Sequence, residues 1–295
     1  MELHQVRYFL AVAQTLNFTR AAEECHVAQP SLTRAIRQLE GELGGELFRR
    51  ERPHAQLTEL GERTLPLLKQ CYDSALAARS VSKAIKSGEA GTLRLALSRT
   101  IDQSLVMPHV VELGKLFRGL ELRLFRGTAP EVLKFLKDGQ AELAVGSAIG
   151  EDWERLDSWS LFRESFHVYV ACGHPVAQIQ SVGLEELRQE RLVVRNYCES
   201  TAQLLEVLHG LHFDVDRAHE MSAEADLIAL IEAGFGFGLF PPSIPTPPTL
   251  TRLAVDSLDF SRTVFLYGVA GRQRTPVASA LMKMLRAANW SRFES

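Results

Sequence analysis

The chain has 295 residues, 46% of them hydrophobic and 23% charged, with a net charge of −3. That composition fits a globular protein of two or three domains and excludes the disordered, collagen-like and small disulfide-stapled classes. A slightly acidic chain has no overall attraction for nucleic acid or for an anionic membrane, so any DNA contact has to be local.

No basic leader precedes the first apolar residues, which recur at helical spacing rather than in one block, so neither a signal peptide nor a membrane-spanning helix is expected. Leu3, Val6, Leu10 and Ala13, widened by Phe9 and Leu16, predict a first helix. Thr19 is placed to cap a short second helix, in which Ala21, Ala22 and Cys25 are small enough to let a neighbour come close. After the turn HVA, a third helix starts at Gln29; Leu32, Ala35, Ile36, Leu39 and Leu43 form its stripe and Gly44-Gly45 stops it. The Pro-interrupted ELFRRERPHAQLTELG suits a two-stranded wing. Thr58 can cap the next helix, where Leu57, Leu60, Thr64, Leu67, Cys71, Ser74, Ala78, Val81 and Ile85 sustain a 3–4 spacing, mostly apolar, that predicts pairing with another helix. Pro66 falls in its second turn, where it removes a donor and is expected to bend the helix. KSGEAGT reads as a linker.

Beyond Gly91, strands and helices alternate. TLRLAL, MPHVVELGKLF, LELRLFRG, PEVLKFLKDG and ELAVGS give a βαβαβ set. FHVYVA, LEELRQ, RLVVRN, TAQLLEVLHG, RAHEMS, EADLIALIEAG and FGFGLF give a second set, and SRTVFLYGVA with PVASALMKMLRAA closes the chain. The expected fold class is α/β multidomain, with two lobes built on mostly parallel sheets and a cleft between them.

The third helix poses a chemical question, because the face opposite Leu32, Ile36 and Leu39 carries Thr33, Arg34, Arg37 and Gln38, with Gln29, Pro30 and Ser31 at its start. A helix that reads the major groove needs such residues: Gln can bond adenine, Arg guanine, and Ser or Thr a base or a phosphate. Pro30 fits the first turn, where no amide is needed within the helix. A solvated polar face is the alternative. Charge alone does not decide, since residues 1–58 hold seven Arg, no Lys and seven Glu; Arg49, Arg50 and Arg52, however, cluster in the wing, where phosphates are reached.

The run FTRAAEECHVAQPSLTRAIRQLEGELGGELFRR followed by LTELG resembles the helix-turn-helix signature of the LysR-type transcriptional regulators, and length and domain order match over the whole chain. The resemblance implies a winged helix-turn-helix over residues 1–58, a dimerising linker helix and hinge over 59–90, and an effector-binding domain over 91–295. That last domain resembles type II periplasmic binding proteins, with lobe I at about 91–161 plus 266–295 and lobe II at about 162–265. It implies double-stranded promoter DNA, a small-molecule effector, RNA polymerase and further copies of the chain as partners, in a cytoplasmic homodimer or homotetramer without membrane contact. Gln29, Pro30, Ser31, Thr33 and Arg34 fall on the family's DNA-reading segment; Thr19, Arg20, Arg37, Arg50 and Arg52 complete the expected DNA-binding set. Position 28 departs from the family's usual capping Ser or Thr, being Ala28.

In the cleft, Ser98, Arg99 and Thr100 follow one strand, Thr128 another, and Asn196, Tyr197 and Cys198 a third, where open α/β sheets bind ligands. The resemblance makes these the expected effector contacts. Thr128 reads equally as a helix cap, and Arg99 suits either a carboxylate effector or a surface salt bridge. Cys25, Cys71, Cys172 and Cys198 lie far apart without a CxxC pair, so reduced thiols and no zinc site are expected. Cys198 at a helix start would be reactive in a thiol-redox-responsive regulator, but the VLHGLHF that follows has no partner cysteine, which favours an inert thiol. No nucleophile-base pair, metal motif or phosphate loop is present, so an enzyme is not expected and no cofactor beyond a small-molecule co-inducer is implied. The competing class is a cytoplasmic solute-binding protein sharing the α/β lobes, against which the first 88 residues argue.

Overall fold

The computed structural model describes residues 1–51, 54–87, 91–117, 119–150, 153–256 and 258–293. They divide into one unit of residues 1–83 with 286–289, and a second of residues 84–285 with 290–295.

The first unit opens with α1 (Leu3–Thr15), α2 (Phe18–Cys25) and α3 (Gln29–Leu43). α1 buries Gln5, Val6, Phe9 and Val12, so its inward face is turned from the expected stripe and Leu3 and Leu16 lie exposed. Phe9 sets that rotation: its ring lies 5.4 Å from that of Phe48, which Phe18 meets edge-on at 5.6 Å. The cap of α2 is Asn17 rather than Thr19. Asn17 Oδ1 accepts from the amides of Thr19 at 2.9 Å and Arg20 at 3.1 Å, which only a side chain outside the helix can reach; Thr19 is already in the first turn. Arg7 ties α1 to the end of α2, its Nη2 donating to the Cys25 carbonyl at 2.6 Å. α3 buries Leu32, Ala35, Ile36 and Leu39, and ends at Gly44, whose φ of 78° is left-handed backbone that glycine takes without strain. Strands β1 (Phe48–Glu51) and β2 (His54–Leu57) pair antiparallel as the wing, Phe48 opposite Leu57. Thr58 caps α4 (Glu59–Ser87) by accepting from the Gly61 amide at 3.0 Å, and Pro66 lies inside that helix.

The second unit runs β3 (Thr92–Ser98), α5 (Met107–Leu116), β4 (Glu121–Gly127), α6 (Ala129–Lys137), β5 (Leu143–Gly146), β6 (Leu156–Ser165), β7 (His167–Ala171), β8 (Ser181–Gly183), β9 (Leu192–Arg195), α7 (Thr201–Gly210), β10 (His219–Met221), α8 (Glu224–Glu232), β11 (Phe237–Phe240), β12 (Leu250–Asp256), β13 (Ser261–Val269) and α9 (Pro276–Ala287). The expected mostly parallel sheets are mixed. One sheet has the order β4-β3-β5-β13-β6, with β13 antiparallel to both neighbours; the other has β10-β9-β11-β7-β12-β8, with β7 antiparallel to β11 and β12. Three of these strands, β6, β8 and β12, were not expected, and LEELRQ forms a short 3-10 turn at Leu184–Leu187 instead of a helix.

Alternation fixes which side chains reach the cleft. In β9, Leu192 and Val194 enter one apolar cluster with Leu208 and Phe237, while Val193 enters the opposite one with Tyr169, Leu227 and Phe240. Period two then places Arg195 on the face of Val193, and its guanidinium lies 5.8 Å from the Phe240 ring centroid. β6 and β13 form a long antiparallel pair from Leu156 opposite Val269 to Ser165 opposite Ser261, with a bulge between Val264 and Phe265. This pair carries the chain from one lobe to the other.

Candidate DNA-reading helix and interlobe cleft

On α3, Gln29, Pro30, Ser31, Arg34 and Arg37 are exposed beside exposed Thr19 and Arg20 of α2. Thr33 departs from this row: it is half-buried, and its shielded hydroxyl has no partner among the described residues. Gln38 is drawn toward α1, its Oε1 accepting from Gln5 Nε2 at 3.3 Å. Arg20 lies 3.4 Å from Glu24, an exposed pair worth little and easily given up to a phosphate. Pro30 occupies the first turn of α3, and Ala28 supplies no side-chain cap. In place of a side chain, the Ala28 carbonyl accepts from the Ser31 amide at 2.9 Å, and Pro30 has no amide to satisfy. Arg49 of the wing is exposed, whereas Arg52 and the side chain of Arg50 lie outside the described residues.

In the second unit, Ser98 ends β3 and Thr100 follows two residues later; both are buried, at 0% and 1% exposure. Their hydroxyls face Glu199, which lies between β9 and α7 in the opposite lobe. Ser98 Oγ donates to one carboxylate oxygen, and Thr100 Oγ1 donates to the other at 2.8 Å. Behind them stands a buried ion pair between cross-strand neighbours, Arg262 Nε donating to Glu164 Oε1 at 2.9 Å. Arg262 Nη2 also donates to the Thr100 carbonyl at 3.1 Å, while Ser243 donates to Glu164 through its amide at 3.1 Å and its hydroxyl at 2.9 Å. The Nη1 of Arg262 is buried and has no partner among the described residues.

The remaining expected contacts divide. Arg99 is exposed, with its guanidinium 6.0 Å from the centroid of the Tyr197 ring, and burial pushes the Tyr197 phenol up to about 12. Asn196 is exposed. Cys198 is buried, and the four cysteines are all free. Thr128 behaves as a helix cap: its amide donates to Glu131 at 2.7 Å and its hydroxyl donates to the same carboxylate oxygen at 3.0 Å. Those two bonds hold the Glu131 carboxyl below its ordinary range, the amide contributing most. Not anticipated were Glu199, Arg262, Glu164 and the pair of Arg195 and Glu224. Arg195 is almost fully buried with Nη1 3.8 Å from Glu224, whose carboxyl burial raises above the usual range against the pull of that arginine. β9 is buried at every position, as its apolar run LVV suggests, and the place of Arg195 at the end of that run is the one signal of this group the sequence carries.

A winged helix-turn-helix on one unit and a two-lobed α/β unit with a polar cleft on the other together define a ligand-responsive DNA-binding protein. The family of bacterial regulatory helix-turn-helix proteins of lysR type matches residues 3–62, and the LysR substrate binding domain matches residues 86–290. The chain belongs to the LysR family of DNA-binding transcriptional regulators with an effector-binding domain. It is 24% identical to the probable regulator LrrA of Synechococcus elongatus over 97% of each chain, and 28% identical to the regulator CysB of Burkholderia cenocepacia over 81% of this chain and 77% of that one. With the regulator IlvR of Caulobacter vibrioides it shares 32% identity, but over only 49% of each chain. The fold matches that of oxidised OxyR from Corynebacterium glutamicum with a TM-score of 0.65 at 23% identity, over 97% of this chain and 91% of that one. Full-length CbnR in complex with its target DNA gives 0.57 at 20% identity, over 98% and 100%. Among the described residues no helix is long and apolar enough to cross a membrane.

Proposed function

We propose that this regulator reads promoter half-sites with the start of α3 and that a small carboxylate effector in the interlobe cleft controls which half-sites it occupies. The observation that carries the first part is the exposed row Gln29, Pro30, Ser31, Arg34 and Arg37, set on a helix whose opposite face is fully committed to the core. Thr19, Arg20 and Thr33 serve beside it as phosphate and positioning contacts, and Arg50 and Arg52 are assigned phosphate contacts from their place in the sequence alone. The second part is supported by the buried hydroxyls of Ser98 and Thr100, with Arg99, Thr128, Asn196, Tyr197 and Cys198 around them; in this reading Thr128 shapes the rim as a cap. Cys198 acts by packing and not by redox chemistry.

The domain division follows residues 1–58, 59–90 and 91–295, with no catalytic function and a cytoplasmic place of action. Self-association runs through α4, where Leu67 is 64% exposed, and through the edge strand β4, where Leu122 and Leu124 are exposed. Two such faces per chain allow a homotetramer, with RNA polymerase as a further partner at the promoter.

The test is fluorescence anisotropy on a duplex from the DNA upstream of the protein's own gene. Arg34→Ala is expected to weaken specific binding by about 1–3 kcal/mol and to relax preference at one base position, as loss of a bidentate guanine contact does. Unchanged affinity and unchanged sequence preference would remove Arg34 from the reading surface.

A further inference from the structure

The hydroxyl pair at the end of β3 is already satisfied. Each hydroxyl has one hydrogen, and both hydrogens go to Glu199. Ser98 Oγ donates to Oε1 of Glu199 and accepts from the Thr100 amide at 3.2 Å; Thr100 Oγ1 donates to Oε2. The two hydroxyl oxygens are only 3.0 Å apart, yet with both hydrogens committed neither has one left for the other. Since both side chains are shielded from solvent, removing the carboxylate would leave two buried donors that need a new acceptor. The site also prefers that acceptor to be anionic. Arg262 holds the Thr100 carbonyl from behind and keeps one buried Nη1 without a partner among the described residues, so its charge is only partly answered by Glu164.

We propose that the Glu199 carboxylate is a resident occupant of this anion-receiving position, which an effector carboxylate enters only by displacing it. Glu199 thereby sets the specificity of the cleft. It is attached to the chain, so it competes at an effective concentration that a tether typically brings to the millimolar range. A weak monocarboxylate with no further contacts competes poorly, and an effector that adds contacts of its own overcomes the competition. The same carboxylate joins the two lobes, since its partners follow β3 and it precedes α7; displacing it breaks this link between them. This inference rests on reading the cleft as the effector site, but its test needs neither DNA nor the natural effector.

The probe is acetate, titrated at constant ionic strength against sodium chloride, with thermal unfolding of the full chain as readout. Wild type is expected to respond weakly. Glu199→Ala is expected to unfold at lower temperature and to be restored by acetate but not by chloride, with a half-saturating concentration about tenfold or more below that of wild type. Adding Ser98→Ala and Thr100→Val to Glu199→Ala should abolish the response. Glu199→Gln keeps the shape but accepts through one oxygen only; it should fall between wild type and the alanine variant, and it carries the test if the alanine variant does not fold. Equal acetate responses in wild type and both Glu199 variants, or a response that survives loss of the two hydroxyls, would overturn the proposal. Failure of promoter binding would sink the regulatory reading and leave this result standing.

Discussion

Glu164→Ala is expected to destabilise the effector-binding unit by about 3–5 kcal/mol, because it leaves the Arg262 guanidinium buried without its counter-charge. Glu164 is 0% exposed and Arg262 4%, so water cannot take the place of the lost partner. The damage spreads beyond one ion pair. Glu164 also accepts from the Ser243 amide and hydroxyl, so the variant orphans donors on the loop after β11 as well as on β13. Glu164→Gln keeps an acceptor but not the charge and should cost less. Replacing both members with apolar residues of similar volume should recover much of the loss, as commonly happens when a buried pair is removed whole. Denaturant unfolding of the single and double variants checks this through a double-mutant cycle. Losses in the two single variants that add up to the loss in the double variant would mean that the two side chains act independently. The pair lies on the two strands that pass between lobes, Glu164 opposite Arg262.

Phe9→Ala should remove most of the stability of the DNA-binding unit, at about 3–5 kcal/mol for a buried aromatic truncated to alanine. A helix-turn-helix of this size has a small core and little stability to spare. Phe9 is fully buried and meets Phe48 of the wing, which also holds Phe18 of α2. A cavity there loosens α1, α2 and the wing together, so DNA affinity should fall although no residue that faces DNA has changed. Phe9→Leu should retain most of both. Circular dichroism melts paired with anisotropy separate the two effects, and full DNA affinity in a stably folded Phe9→Ala protein would contradict the assignment of the wing to this core.

What the sequence made legible follows the range of the interactions involved. The limits of α3 could be read because proline, apolar spacing and glycine are local signals, and the structure places that helix at Gln29–Leu43. The face of α1 was misjudged because Leu3 and Val12 are both compatible with an apolar stripe; only contact with Phe48, far along the chain, decides between them. Thr19 looked like a cap by residue type, but Asn17 stands two residues earlier at the position from which the free amides can be reached. β6 went unseen because its LDSWSLFRES mixes polar and apolar residues on an unevenly buried strand. β12 buries only Leu250 and Leu253, three residues apart and so without a strand's alternation, just after a proline-rich stretch that reads as loop. In the cleft, Ser98 and Thr100 were accessible as residues that follow a strand. Glu199 was not, since no spacing reveals that it meets hydroxyls about a hundred residues away in the chain, across the lobes. Arg262 and Glu164 likewise become a pair only through the register of β13 on β6.

The account stands or falls on whether DNA recognition and cleft occupancy are coupled. DNase footprinting of the full chain on the DNA upstream of its own gene, repeated with a panel of small carboxylic acids, measures both at once. Two protected half-sites in helical register are predicted, with at least one acid moving the boundary of protection and Arg34→Ala requiring more protein for the same protection. Protection that is absent, or that is identical with every acid in wild type and in Glu199→Ala, would contradict it.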